Sequence, residues 1–171
     1  DEFGVVWSTN SIDRGSPIGP CLEQADLSNY TFPDASESYR FKELPEWCEQ
    51  NKEHYTIIWV GDLWERATFM RGMENILLDV ALNPKFVEEL LRGLSDYVLQ
   101  TMQILFEKCE FDAIAISDDY GIQNSLVMSP TDWRRLIKPC LAEIYSLAHK
   151  HGRSVFHHSC GNNHPIIADF V

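Results

Sequence analysis

Three short apolar runs mark the C-terminal two thirds of the chain. They are 55–61 (YTIIWVG), 111–117 (FDAIAIS) and 154–157 (SVFH), and each contains β-branched or aromatic residues. The first two runs are continuous and bounded by polar residues, which is typical of strands that are buried on both faces of a sheet. Segments with helical spacing separate the runs. The order strand, helix, strand, helix, strand predicts a parallel sheet with right-handed crossovers.

The segments between the strands have the spacing of amphipathic helices. Asp62, followed by Glu65 three positions later, forms an acidic variant of the capping box and predicts that a helix starts at Asp62. Ser129, followed by proline, predicts the start of another helix that runs to a stop at Gly152. The longest predicted helix spans about 84–109, with an apolar stripe of Phe86, Val87, Leu90, Leu91, Leu94, Val98, Met102 and Leu105.

The first third of the chain is less regular. Residues 1–33 alternate short apolar runs with glycine and proline, which predicts one or two strands in a hairpin-like excursion. Residues 34–53 have a helical pattern that we expect to be interrupted at Pro45. At 171 residues and 44% apolar composition, the chain is expected to fold as one globular domain or as part of a larger one.

Charge and cysteine usage narrow the classes of function. Fourteen basic and twenty-six acidic side chains give a net charge of −12, which argues against nucleic acid and anionic membranes as partners. Five dispersed cysteines without a CxxC pair favour reduced thiols in the cytoplasm. No apolar run approaches the roughly 18 residues of a membrane span. Because the chain lacks a starting methionine and ends in a barely begun helix, we expect both ends to be cut from a longer protein.

Polar clusters follow all three predicted strands. They are Gly61-Asp62, 117–121 (SDDYG) and 157–161 (HHSCG). Because the carboxyl ends of parallel strands share one edge of a sheet, these clusters are expected on a common rim. In α/β barrels and open α/β sheets, that rim gathers substrate and catalytic groups.

His158 and Cys160 are candidate metal ligands. They stand at positions i and i+2, so on an extended chain their side chains point the same way from backbone positions roughly 7 Å apart. Imidazole and thiolate are ligands that zinc prefers, and a catalytic zinc takes three protein ligands. The alternative is a buried cysteine beside a histidine that bonds a neighbouring carbonyl. His157 is expected to point to the opposite face and to pack there.

Asp118, Asp119 and Gln123 are candidate catalytic residues on the second rim cluster. Adjacent strand residues face opposite sides, so one of the two aspartates is expected to face the cavity. Alternatively, both bond backbone amides of the loop. Gln123 is expected either to bond a ligand or to bond the loop itself. For Glu65, Arg66 and Arg71, a helix-surface ion pair is favoured over an anion-binding patch.

Three segments resemble the uroporphyrinogen decarboxylase superfamily. They are 60–72 (VGDLWERATFMRG), 116–139 (ISDDYGIQNSLVMSPTDWRRLIKP) and 155–163 (VFHHSCGNN). The resemblance covers most of the chain and implies a (β/α)8 TIM barrel of roughly twice this length. The expected fold is therefore an α/β partial TIM barrel with an N-terminal hairpin-like excursion. Residues 1–171 would form a single domain that covers about half of the barrel.

The superfamily includes decarboxylases and zinc-dependent methyltransferases that act on corrinoid-bound methyl groups. Decarboxylases carry an active-site tyrosine where this chain has Phe69, and their next motif has a serine where it has Asp118. The methyltransferase branch holds zinc through a histidine and a cysteine at the spacing of His158 and Cys160. The resemblance implies a further cysteine ligand downstream of Val171.

The resemblance implies methyl transfer between a corrinoid and a thiol-type acceptor that zinc activates as its thiolate. Asp118, Asp119 and Gln123 would line the cavity mouth and orient the small-molecule acceptor or the corrinoid, which a separate corrinoid protein would carry. One alternative is metal-free decarboxylation of uroporphyrinogen in porphyrin biosynthesis. Another is an inactive barrel fragment that binds a partner or forms a homo-oligomer through its open sheet edges.

Overall fold

Strands and helices alternate along the chain as the apolar pattern predicts. The computed structural model describes residues 1–12 and 15–170. In chain order the elements are β1 (Val6–Ser8), β2 (Ser16–Gly19), α1 (Leu44–Gln50), β3 (Ile57–Asp62), α2 (Trp64–Arg71), α3 (Met73–Leu82), α4 (Pro84–Lys108), β4 (Ala113–Ser117), α5 (Pro130–Leu136), α6 (Lys138–Lys150) and β5 (Ser154–His158), with 3-10 helices at Ser38–Arg40 and His164–Asp169.

The sheet has the predicted parallel topology. Within the described residues, β3, β4 and β5 pair in sequence order, and both pairs are parallel. Helices α2 to α4 connect the first two strands, and α5 and α6 connect the last two. β1 and β2 form a separate antiparallel pair. The predicted α/β class, the partial barrel and the N-terminal hairpin-like excursion are therefore confirmed.

The two faces of the sheet differ in their surroundings. Ile58 and Val60 point toward the helices and are buried, whereas Trp59 and Phe156 point the other way and are 59% and 50% exposed. The predicted burial on both faces is therefore wrong for β3, and β5 is likewise exposed on one face. It holds for β4, whose residues 113–116 are all buried, because β4 has a strand on each side. We call the uncovered side the open face; it corresponds to the interior of a closed barrel.

Helix α4 covers the other face of the sheet. It ends one residue before the predicted Cys109, and every residue of the predicted apolar stripe is buried. It contacts β3 on one side and α6 on the other. None of the described helices combines the length and the apolarity that a membrane crossing requires.

Two predicted helix boundaries are wrong. Asp62 ends β3 and pairs with Arg66, and α2 starts only at Trp64, without a capping side chain from its own segment. The helix predicted up to Gly152 is divided at Ile137 into α5 and α6. The break occurs because Pro139 has no amide hydrogen to donate to the preceding turn.

The predicted start of α5 is confirmed, and the interruption at Pro45 is not. Ser129 Oγ accepts the amide of Asp132 at 3.0 Å, the hydrogen bond of a serine N-cap. Pro45 lies in the first turn of α1, where its missing amide hydrogen removes no helical bond. It therefore begins a helix instead of breaking one.

Arg71 fastens the N-terminal segment to α2. Its Nε donates to Asp79 Oδ2 at 2.8 Å, and its Nη1 donates to the carbonyls of Leu22 and Glu23 at 3.2 and 2.9 Å. The Arg71 and Asp79 side chains are only 10% and 4% exposed. For Arg71, the expected surface ion pair is thus a buried one.

Replacing Asp79 by asparagine should destabilise the fold by about 3 kcal/mol, because removing one partner of a buried pair leaves the other charge uncompensated. Urea unfolding followed by circular dichroism measures the change. Glu89→Gln is the control, since Glu89 pairs with Lys85 on the exposed surface of α4 and such pairs contribute little. Equal midpoint shifts for the two variants would contradict the structural role of the Arg71–Asp79 pair.

Candidate functional site

Asp119, His158 and Cys160 converge at the carboxyl end of the sheet. Cys160 Sγ lies 3.4 Å from His158 Nε2, and Asp119 Oδ1 lies 3.6 Å from the same nitrogen. One potential ligand atom from each residue lies within 4.8 Å of the other two. The His158 and Asp119 side chains are 55% and 38% exposed. The spacing argument correctly placed His158 and Cys160 side by side, and their role as ligands stays a prediction.

The loops after β4 and β5 hold the three side chains together. Asp118 N donates to His158 O at 3.0 Å and extends the strand pairing by one bond. Cys160 N donates to Asp119 Oδ1 at 2.6 Å, and Tyr120 N donates to Ser159 Oγ at 3.2 Å. Each loop therefore positions the polar groups of the other.

Two glycines allow these loops to touch. A Cβ added to Gly161 would lie 2.3 Å from the backbone of Gly121, and φ of Gly161 is +75°. Only glycine adopts this conformation without strain and leaves room for the neighbouring backbone. Asn162 N donates to Ile122 O at 2.9 Å and closes the contact. The approach of the two loops thus depends on the absence of side chains at both glycines.

Asp118 faces away from the cavity. It is fully buried, and Oδ1 accepts the amides of Leu63 at 3.0 Å and Glu65 at 2.9 Å. Oδ2 accepts the hydroxyl of Tyr120 at 2.8 Å. Burial raises the pKa of Asp118 well above its ordinary value, against the lowering effect of these hydrogen bonds. Asp119 is therefore the aspartate that faces the mouth, as expected for one of two adjacent residues.

The carboxylate of Asp118 caps the start of α2, the role that the sequence analysis assigned to Asp62 in a capping box. The first amides of a helix have no partner within the helix. In α2 they are satisfied from β4, because Asp118 accepts the amides of Leu63 and Glu65. The spacing of residues within one segment cannot reveal such a cap, because the donor and the acceptor are more than fifty positions apart in the sequence.

Gln123 lies on the loop that follows β4. It occupies the exposed tip of the turn between Gly121 and Leu126, which are joined by an isolated bridge. Ile122 N donates to Ser125 O at 2.7 Å across this turn. The turn is therefore held by backbone bonds, and contact of Gln123 with a ligand stays a prediction.

The two histidines of β5 have different surroundings. His157 points to the helix side, where its Nδ1 lies 2.6 Å from Tyr145 Oη. Burial, and to a smaller extent the charge of His158, lower the pKa of His157 to about 4. The ring of His157 also contacts Phe170. The predicted packing role of His157 is confirmed.

Asp119 favours the protonated form of the Cys160 thiol. The hydrogen bond with Asp119, and then its negative charge, raise the pKa of Cys160. A thiol must lose its proton to coordinate a metal, so a cation placed among the three groups would reverse this effect. Imidazole, thiolate and carboxylate all belong to the ligand set of zinc. Both the chemistry and the spacing of the cluster therefore fit that ion.

A bulge in β3 aligns Asp62 with Ser117 and His158 across the sheet, an alignment that the sequence analysis did not predict. The register shifts between Trp59 and Gly61, so that Asp62 pairs with Ser117, which in turn pairs with His158. Ser117 Oγ donates to Glu65 Oε2 at 2.8 Å. Bulges next to functional sites often redirect a side chain. Gly61, at the end of the apolar run 55–61, was the sequence feature that could have indicated this bulge.

Comparison with known protein families shows which family this chain belongs to. The model of the uroporphyrinogen decarboxylase (URO-D) family matches residues 16–171. The chain belongs to the uroporphyrinogen decarboxylase family. Comparison with curated proteins finds no significant match.

A solved structure supports the same architecture for this URO-D family chain. A methyltransferase from Methanosarcina mazei superposes with a TM-score of 0.71 at 19% sequence identity. The match covers 98% of this chain and 50% of the methyltransferase, so the chain spans about half the length of that protein. At this identity the similarity establishes the fold alone.

Replacing Asp118 by asparagine should destabilise this URO-D family chain by about 1–3 kcal/mol. The amide keeps one acceptor oxygen but turns an NH2 group toward donors that are already buried. Urea unfolding measures the loss. Asp26→Asn is the control, because Asp26 bonds only the exposed turn around Ser28 and its replacement should leave the midpoint unchanged. A native midpoint for Asp118→Asn would contradict the capping role.

Gly161→Ala should destabilise the fold by about 1–3 kcal/mol, since the new Cβ meets the Gly121 backbone at a strained φ. Gly19→Ala is the matched control. A Cβ there has no neighbour within 4 Å, so the variant should be neutral or slightly stabilised. Thermal unfolding of both variants provides the comparison, and unchanged stability of Gly161→Ala would show that the two loops are free to separate.

Proposed function

We propose that this chain carries the metal-binding part of a zinc-dependent methyltransferase that moves a methyl group from a corrinoid to a thiol. The main support is the convergence of Asp119, His158 and Cys160 at the carboxyl end of the sheet. Family membership and the fold of the M. mazei methyltransferase are consistent with this chemistry. No other described group of His, Cys, Asp and Glu side chains comes together in this way.

Asp119 is proposed as the third protein ligand beside His158 and Cys160. The family resemblance implies a cysteine ligand downstream of Val171, but the geometry offers the carboxylate of Asp119, with an oxygen within 4.8 Å of the ligand atoms of both His158 and Cys160. Three protein ligands leave one position of a tetrahedral zinc site for a substrate. The exposure of the cluster gives a substrate access to that position.

When bound, zinc would stabilise the thiolate of the acceptor, which is the nucleophilic form of a thiol. The acceptor sulfur then attacks the methyl carbon, forming a carbon–sulfur bond. The corrinoid would supply the methyl group and would keep the electron pair of the broken cobalt–carbon bond, and the thiol proton would leave to solvent. Asp119, held by the Cys160 amide, would orient the acceptor, and Gln123 is proposed to contact it from the turn above.

The corrinoid is proposed to arrive on a separate protein that docks at the mouth of the site. The cluster lies on loops at the end of the sheet and is exposed, so a large cofactor can approach it. Asp118 is assigned a supporting role, because it is fully buried beneath these loops.

Metal binding tests the site directly. Titration with Co²⁺, a spectroscopic substitute for zinc, should give a thiolate-to-metal absorption band from Cys160. Cys160→Ala should abolish the band. Asp119→Asn should weaken zinc binding more than about 100-fold, because even outer-shell changes cost about 10–100-fold. Calorimetric titration with zinc measures the affinity.

Cys21→Ser and Asp26→Asn are the matched controls, since both residues lie outside the cluster. Both variants should bind zinc as the parent chain does. Full zinc affinity after Asp119→Asn would remove Asp119 from the ligand set. A missing thiolate band in the parent chain would overturn the metal site.

Metal-free decarboxylation of a porphyrinogen is the second candidate, because the matched family model is that of uroporphyrinogen decarboxylase. Asp119 would then serve as the carboxylate that stabilises a protonated pyrrole. Consumption of uroporphyrinogen in the presence of a chelator would support this reaction. Methyl transfer from methylcobalamin to a thiol, lost with chelator and restored by zinc, would support the first.

A further inference from the structure

Two of the five cysteines lie side by side in the apolar core. Cys48 is on α1, and Cys109 directly follows the last residue of α4. Both are free thiols, and they are only 3% and 4% exposed. Their side chains are hydrogen-bonded to each other. Because the two residues belong to different segments of the chain, this contact joins α1 to the end of α4.

Hydrogen bonds hold the two segments together independently of the sulfur atoms. Thr56 N, between α1 and β3, donates to Asp112 Oδ2 at 2.7 Å. In return, Ala113 N donates to Thr56 O at 3.1 Å. Cys109 N donates to Leu105 O at 2.9 Å and closes the last turn of α4. The segments that carry the two cysteines therefore enter β3 and β4 side by side, at the amino end of the sheet.

Helix α1 depends on this contact for its position. Of its seven described residues, Cys48 is the one that is buried. Helices as short as α1 are not stable in water without tertiary contacts. Segments with few buried groups open locally at a low cost in free energy. Opening of α1 exposes both sulfur atoms to a small oxidant while the sheet stays folded.

We propose that Cys48 and Cys109 form a site of oxidative modification, at which hydrogen peroxide converts the two thiols into a disulfide that stabilises the fold. In the first step the Cys48 sulfur attacks one peroxide oxygen; a sulfur–oxygen bond forms, the oxygen–oxygen bond breaks, and one water leaves. In the second step the Cys109 sulfur attacks the Cys48 sulfur. The sulfur–sulfur bond forms, and the oxygen leaves as a second water. Two thiols are oxidised, and one peroxide is reduced.

The surroundings of the two sulfur atoms are consistent with this order of steps. Burial raises the pKa of Cys48, but the hydrogen bond from Cys109 offsets part of that effect. Burial, and then the negative charge of Cys48, raise the pKa of Cys109 to about 11. Because the thiolate is the nucleophile, Cys48 reacts first. Its oxidation removes the charge that holds the proton on Cys109, which then completes the disulfide.

Closing the disulfide requires a small movement of α1. The sulfur atoms of a disulfide are about 2.05 Å apart, closer than two hydrogen-bonded thiols. Since the rest of α1 is at least partly exposed, the helix can shift toward α4 without disturbing the core. A disulfide between distant segments stabilises a fold mainly by restricting the unfolded chain. We therefore expect the oxidised chain to be the more stable form.

Peptide mapping of the 171-residue chain treated with hydrogen peroxide tests the site. Free thiols are blocked with N-ethylmaleimide before digestion, which prevents exchange. Trypsin releases peptides 43–52 and 109–134, which contain Cys48 and Cys109 as their respective cysteines. The two peptides should be recovered as one linked species that dithiothreitol separates. Absence of this species from the oxidised parent chain would overturn the proposal.

Thermal unfolding with matched variants supplies the second readout. Oxidation should raise the Tm of the parent chain by about 5–10 °C, and dithiothreitol should reverse the rise. Cys48→Ser should lose both the linked species and the rise. Cys140→Ser is the control and should keep both, because Cys140 is 6% exposed and donates to Leu91 O at 3.9 Å. An equal rise for Cys48→Ser would overturn the proposal.

The outcome is independent of the proposed metal site. The Cys48–Cys109 pair lies at the amino end of the sheet, whereas the Asp119, His158 and Cys160 side chains meet at its carboxyl end. The Cys48→Ser variant should bind zinc as the parent chain does. Loss of the linked species in a chain that binds zinc, or its recovery from a chain that does not, would separate the two proposals.

Discussion

The buried carboxylate of Asp118 is the constraint on which the site depends. It joins the end of β4 to the first amides of α2 and to the hydroxyl of Tyr120. A carboxylate is removed from water only when donors replace its hydration, and these three donors do so. Because Asp118 is fixed toward the interior, the next residue must turn outward. The orientation of Asp119 at the mouth is therefore set by the burial of its neighbour.

Backbone contact then fixes the distance between the two loops. Gly121 and Gly161 touch without side chains, and the Cys160 amide reaches Asp119 across the same gap. Metal ligation requires donor positions within a few tenths of an ångström. Side chains on one loop move together, but side chains on two loops keep a fixed distance only where contacts join the loops. The short hydrogen bond and the glycine contact place a carboxylate beside an imidazole and a thiol before any ion is present.

The spacing of residues within single segments predicted part of this structure correctly. The apolar stripe of α4, the strand order and the shared direction of His158 and Cys160 follow from spacing along one chain segment. Three features depend on contacts between segments and were missed: the cap of α2 by Asp118, the bulge that pairs Asp62 with Ser117, and Asp119 as a neighbour of Cys160. Residues far apart in sequence leave no periodic signal, so reasoning from spacing finds the elements before it finds the site.

Trp59 and Phe156 lie on the open face of the sheet, below the loops that carry the Asp119, His158 and Cys160 cluster. In a closed barrel, inward side chains from alternate strands form a packed core beneath the catalytic mouth. Here Trp59, Ala115 and Phe156 form one such layer, and no opposing layer is present among residues 1–12 and 15–170. This layer lies below the rim, whereas His158 and Cys160 are positioned by β5 and by the hydrogen bonds between the loops that follow β4 and β5. The floor and the rim of the cavity are therefore built by different parts of the sheet: alternate residues in the middle of the strands form the floor, and the Asp119, His158 and Cys160 side chains meet at the carboxyl end.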